Sequence, residues 1–154
     1  MRDQPKSYRR RTLVIGAAIW ALLALLLNLP WEIAQLPLYE FSQSPSGTRL
    51  AYFVMHCTAG DAAIAVTNFL VTGFMLSNPN WPTARPWLGG VIVTFLGLTY
   101  TVFSEWHNVY QTGAWNYART MPLISGIGLS PLLQWLIIPV IVLFTYRKIS
   151  SRGK

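Results

Sequence analysis

The sequence predicts an all-α membrane protein: a four-transmembrane-helix bundle with both termini cytoplasmic, folded as a single integral membrane domain over residues 1–154. Three observations predict it. Only 11% of the 154 residues are charged while 53% are hydrophobic, where a soluble domain carries about 25% charged residues. The apolar residues gather into four long runs. The Lys and Arg residues gather in the segments that join alternate ends of those runs.

The first run is Leu13 to Leu29, and a helix that continues through Pro30 extends the span to 13–36. The second, 51–76, is interrupted by His56, Asp61 and Asn68. The third is apolar from Leu88 to Phe103, and its span over 88–108 requires the helix to run on past Glu105. The fourth is 129–146, opened by Ser130-Pro131 as an N-cap and first helical residue, with Pro139 in its middle. A span needs about 20 residues, which each of these supplies. No alternation of period two is present, so a β-barrel is not expected.

Orientation follows from the positive-inside rule. Arg2, Lys6, Arg9, Arg10, Arg11, Arg85, Arg147, Lys148, Arg152 and Lys154 fall on one face, and only Arg49 and Arg119 fall on the other. Trp81, Trp87 and Tyr146 are placed at the inner interface. Trp31, Tyr39, Tyr52, Trp106, Tyr110, Trp115 and Trp135 are placed at the outer one. The net charge of +7 therefore marks topology and anionic lipid rather than nucleic acid. Arg9-Arg10-Arg11 before an apolar run also fits a signal peptide, but no small-residue cleavage site follows, and an uncleaved anchor is the simpler reading. The single Cys57 excludes an internal disulfide and reads as a small buried residue. Ser42, Ser44, Pro45, Ser46 and Gly47 predict turns outside, residues 77–86 form a Pro-rich inner connector, and residues 105–128 lie on the outer membrane surface.

The polar residues are spaced for single helix faces. Asn28, Glu32, Gln35 and Tyr39 follow at steps of 4, 3 and 4, and Gly90, Thr94, Gly97, Thr101, Glu105 and Asn108 at steps of 4, 3, 4, 4 and 3. The small residues let helices approach closely in lipid, as do Ala59, Gly60, Ala62, Ala63 and Ala65 around Asp61. Asp61 stands deep in the second span, where a charge costs roughly 2.5–3.5 kcal/mol on insertion scales. No Lys or Arg lies within a span to offset it. It must be protonated, hydrogen-bonded by neutral partners, metal-bound or exposed to a wet cavity, so it either joins helices as a protonated or hydrogen-bonded group or serves a site. His56 sits about 140° around the helix from Asp61, so the two flank a cavity rather than share a face. His107 points away from the Glu105–Asn108 face. The expected pocket opens outward and is lined by Asp61, His56, Glu105 and Glu32, with Asn28, Gln35, Asn108 and Gln134 as further candidates. Each carboxylate could instead reach separately into the headgroup region.

Asn28-Leu-Pro-Trp-Glu-Ile-Ala-Gln-Leu-Pro-Leu-Tyr39, His56-Cys-Thr-Ala-Gly-Asp61, Phe103-Ser-Glu-Trp-His-Asn108 and Gly126-Ile-Gly-Leu-Ser-Pro-Leu-Leu-Gln-Trp135 together resemble an uncharacterised family of small four-pass bacterial inner-membrane proteins. The resemblance covers most of the chain. It implies location in the bacterial inner membrane and brings no activity with it.

Motifs for a zinc-protease helix, a phosphate loop, a nucleophile elbow and CxxC chemistry are absent, so no catalytic residue is assigned. A divalent metal held by His56, Asp61, Glu105 and Glu32 would be a hard ion. Three functions compete. The first is binding of a small ligand, lipid or metal in the pocket, as an accessory subunit of a larger membrane complex. The second is an enzyme acting on a lipid or isoprenoid-type substrate, with a carboxylate and His56 in acid–base roles. The third is a proton or ion conductor through Asp61, for which the inner half offers little beyond Asn68.

Overall fold

The computed structural model describes residues 6–40 and 46–152. Arg2, Lys154 and the expected turn residues Ser42, Ser44 and Pro45 lie outside the described residues. Helix α1 runs Lys6–Gln35 and passes through Pro30 without ending. A 3-10 turn, Leu36–Leu38, leads to strand β1, Tyr39–Glu40. Helix α2 runs Gly47–Met75 and is capped by Ser46, whose hydroxyl accepts from the Arg49 amide at 3.4 Å. The connector that follows contains a helical turn, α3, Trp81–Ala84. Helix α4 runs Pro86–Trp106 and continues as a π-helical turn, His107–Gln111. Strands β2 (Asn116–Tyr117), β3 (Leu123–Ile124) and β4 (Ile127–Gly128) follow, and helix α5 covers Leu129–Arg152.

Four of these helices are long and apolar enough to cross a membrane: they extend over Arg10–Leu38, Gly47–Met75, Pro86–Gln111 and Leu129–Arg152. They pack as a bundle. Trp20 meets Tyr146, Asn28 meets Gln134, and Gln35 meets Ser130, so α1 and α5 are antiparallel. Gly90 faces Leu143 and Gly97 faces Trp135, so α4 and α5 are antiparallel as well. The described ends of the chain and the α2–α4 connector thus share one end of the bundle, and the β-strands occupy the other. Large apolar side chains cover the outside, Phe74 at 85% exposure and Val91 at 68% among them. Exposure of this kind is tolerable only where lipid is the solvent. The chain is an integral membrane protein with four spans.

The core at the terminal end is aromatic. Trp20, Phe69 and Trp81 pack mutually, with Trp20 centroids at 5.3 and 5.2 Å from the other two, which are 5.6 Å apart, and Tyr146 packs on Trp20 at 6.0 Å. Trp81 is fully buried and donates its indole N–H to the Phe69 carbonyl at 3.1 Å. A Cβ at Gly89 would collide with this ring, as one at Gly97 would with Trp135. Trp81, Tyr146 and Trp135, expected as interface anchors, are therefore core residues instead. Glycines on α4 open the recesses that take the two indoles. Trp87 is exposed, as an interface anchor should be.

Two further expectations change. On α2 only Ala62 and Ala65 of the small residues are buried, while Ala59, Gly60 and Ala63 face outward, because the buried stripe is set by Thr58, Phe69 and Thr72. Ser130 is not an N-cap. It lies inside the first turn of α5, and its hydroxyl donates to Gln35 Oε1 at 2.8 Å.

The α4–α5 connection, the expected outer one, is not a featureless surface loop. β1 pairs antiparallel with β2, Tyr39 opposite Tyr117. β3 and β4 form a hairpin whose turn residues, Ser125 and Gly126, both take positive φ (49° and 85°), the backbone that a tight two-residue turn requires.

Candidate functional site

The site is built at the strand end of the bundle, and its hub is Gln134. Its position in the second turn of α5 points the side chain inward, where it is 3% exposed. The amide Nε2 lies 2.7 Å from Asn28 Oδ1, 2.9 Å from Glu32 Oε1 and 2.9 Å from Asp61 Oδ2. Three acceptors around one atom identify that atom as the nitrogen. An amide has two hydrogens, so this group is one donor short.

The remaining members extend the network. Gln35 Nε2 donates to Glu32 Oε1 at 2.8 Å, and Asn28 Nδ2 donates to the Ala24 carbonyl of its own helix at 2.8 Å. The 4- and 3-residue steps on α1 place Asn28, Glu32 and Gln35 on one buried face. On α4, Glu105 is buried at 6% exposure. Its Oε2 accepts from the Tyr117 hydroxyl at 2.6 Å, with the Trp115 indole N–H at 3.5 Å. Both donors come from the outer connection, which the β1–β2 pairing holds against α1. The Tyr39 ring packs on Tyr117 at 5.8 Å and on Trp115 at 6.5 Å. Burial first, and then the neighbouring Glu105, raise the pKa of both Tyr39 and Tyr117 above the ordinary tyrosine value. Tyr117 therefore remains a hydrogen-bond donor at neutral pH.

These side chains surround a cavity of about 240 Å³. Glu32, Asp61, Glu105, His56, Gln35, Asn108 and Gln134 all line it, so three carboxyl groups from three helices meet one space. No Lys or Arg is among the described lining residues. Asn28 lies below the floor, beside a smaller apolar void lined by Trp20 and Trp135. Asn108 lines the cavity but donates within its own helix, to the Ser104 carbonyl at 2.8 Å. His56 is exposed at the rim, stacked on Tyr52 with centroids 5.9 Å apart. His107 lies outside, stacked on Phe103 at 5.9 Å. Trp115 lines the strand end of the cavity, in edge contact with Phe53 at 6.1 Å.

Tyr117, Trp115, Tyr39 and Ser130 were not among the sequence candidates. They reach the site through tertiary pairing of a loop, which leaves no periodic trace. Deeper on α2, Asn68 Nδ2 and Thr72 Oγ1 are buried with no hydrogen-bond partner among the described residues. The aromatic core lies at that level of the bundle, with Phe69 on the same helix.

Among the described residues, no three His, Cys, Asp or Glu side chains gather closely enough to hold a metal ion. The donor set is instead an acceptor-rich ring around a space larger than one ion. Comparison of the chain with protein-family models, with characterised proteins and with solved structures finds no match.

Proposed function

We propose that this protein binds, in the outer half of the membrane, a small head group that donates hydrogen bonds and is neutral or cationic. A single observation supports this best: three carboxyl side chains face one cavity that no described Lys or Arg lines, and the acceptors around Gln134 outnumber its hydrogens. A hydroxyl or ammonium group supplies what is lacking, since charge-assisted bonds to carboxylates are the strong ones. A phosphate or diphosphate head meets three carboxyl groups with no Lys or Arg among the described lining residues, which disfavours prenyl diphosphates as ligands. The bias of Lys and Arg supports cytoplasmic termini and a cavity toward the outer face, and the sequence resemblance points to the bacterial inner membrane. Service as an accessory subunit, with a partner contacting the strand end, is compatible with this reading.

Native mass spectrometry after purification in mild detergent tests it. The wild-type protein is expected to retain a neutral or cationic species that Asp61→Asn and Glu105→Gln both lose. Retention of phosphate-bearing lipids alone, equal in all three proteins, overturns the reading. Retention of a divalent ion in the wild type and its loss from both variants would favour a metal site instead.

A further inference from the structure

The cavity has a rim that faces lipid. Gly60 and Tyr100 both line it, yet Gly60 is exposed and Tyr100 is 46% exposed. Gly60 stands thirteen residues after Gly47, so ~20 Å along the axis of α2 at 1.5 Å per residue, near the middle of the helix. Its neighbours Ala59 and Ala63 face outward too, as do Val102 and Phe103 beside Tyr100. A rim at mid-helix depth opens into the bilayer, not into water. At the strand end Trp115 lines the cavity in edge contact with Phe53. A Cβ built on Gly60 meets nothing within 4 Å, so this glycine serves no close packing within the chain and leaves a gap in the wall between α2 and α4.

Building on the binding function proposed above, we infer that the ligand is an amphiphile that reaches the carboxyl groups sideways from the membrane, through the gap between Gly60 on α2 and Tyr100 on α4. Its head sits among Glu32, Asp61 and Glu105, and its chain leaves past Ile64 and Gly60 into the acyl region. Apolar burial of about 0.8 kcal/mol per methylene then retains a ligand whose small head alone would bind weakly. An anionic phospholipid is excluded by the same charge argument as before, which leaves long-chain amines and alcohols as the matching class.

The test uses two probes that share a head, hexadecylamine and ethylamine, with the full-length protein in nanodiscs of neutral lipid. Gly60→Trp should weaken hexadecylamine at least ~10-fold, a change of 1.4 kcal/mol, and leave ethylamine unchanged, because the indole fills the gap without reaching the carboxyls. Equal binding of hexadecylamine by both proteins overturns the lateral route while leaving the head-group reading intact. Loss of both probes alike also overturns it, since the substitution has then closed the cavity itself. Failure of the wild type to bind either amine, and hexadecanol as well, overturns the proposed function instead. A measurement that needs no variant stands beside these: hexadecylamine carrying a diazirine in mid-chain should label α2 and α4 near Gly60 and Tyr100. Labelling confined to α1 and α5 contradicts the inference.

Discussion

Replacing Gln134 with Leu removes the hub and keeps the volume. The side chain is 3% exposed, and its nitrogen serves Asn28, Glu32 and Asp61 at 2.7–2.9 Å. In a soluble core each lost bond costs about 1 kcal/mol, more when the partner is charged. In membranes the measured average is nearer 0.6 kcal/mol, because the unfolded chain in lipid also finds partners. Water can take over part of the loss at Glu32 and Asp61, which line a cavity of about 240 Å³. It has no such access to Asn28 Oδ1 below the floor. Two bonds at the membrane value, and about 1 kcal/mol for Asn28 Oδ1 left unpaired, give a destabilisation of ~2 kcal/mol. Unfolding in mixed micelles with increasing dodecyl sulfate measures it. A cycle with Asp61→Asn should show coupling of at least ~0.5 kcal/mol, as residues in one network do. A Gln134→Leu protein as stable as the wild type refutes the reasoning, because the hydrogen bonds would then contribute nothing.

Other outcomes follow from the same geometry. Gly97→Val and Gly89→Val push branched side chains into the Trp135 and Trp81 rings and should each cost ~1–3 kcal/mol by overpacking, whereas Gly60→Val, with open space around it, should leave unfolding in the same assay unchanged. Tyr117→Phe takes one donor from Glu105 and should cost about 1 kcal/mol in that assay while keeping the helical circular dichroism intact. Because Tyr39 and Tyr117 hold their protons more tightly when folded than unfolded, the folded state binds more protons in alkali. Their contribution is complete below about pH 10 and falls as pH rises beyond it. The loss of stability above pH 10 should be smaller in Tyr117→Phe than in the wild type. Reporter fusions at Ser46, Thr83, Asn116 and the C-terminus should read outside, inside, outside and inside. An outward C-terminus would move the cavity to the opposite leaflet.

How much of this was legible in the sequence depends on the range of the interaction. The four spans were legible because lipid imposes length and apolarity on each segment separately. The polar faces of α1 and α4 were legible because helical periodicity places Asn28, Glu32 and Gln35, or Thr101 and Glu105, in register without knowledge of any partner. Gln134 was visible as a polar residue in an apolar helix, but its bonds to three other side chains depend on how α5 packs against α1 and α2. Trp115 reads in the sequence as an outer-interface anchor, and Tyr117 carries no signal of its own. A two-residue strand pairing, Tyr39 with Tyr117, brings them to Glu105, and such a pairing leaves no local signal. The same limit explains Trp81: its composition suits an interface, and only the recess at Gly89 makes it a core residue. Gly60 illustrates the reverse, a glycine read as a packing surface that instead leaves an opening.

The central claim is that three carboxyl groups from three helices act together on one donor-bearing head group. Titration of hexadecylamine into the wild-type protein and into an Asp61→Asn/Glu105→Gln double variant, both in neutral-lipid nanodiscs, tests it most directly. The account predicts saturable binding at one site per wild-type chain, weakened at least ~10-fold in the double variant with an unchanged fold by circular dichroism. Equal affinity in the two proteins, or a signal that grows only with lipid concentration, would contradict it.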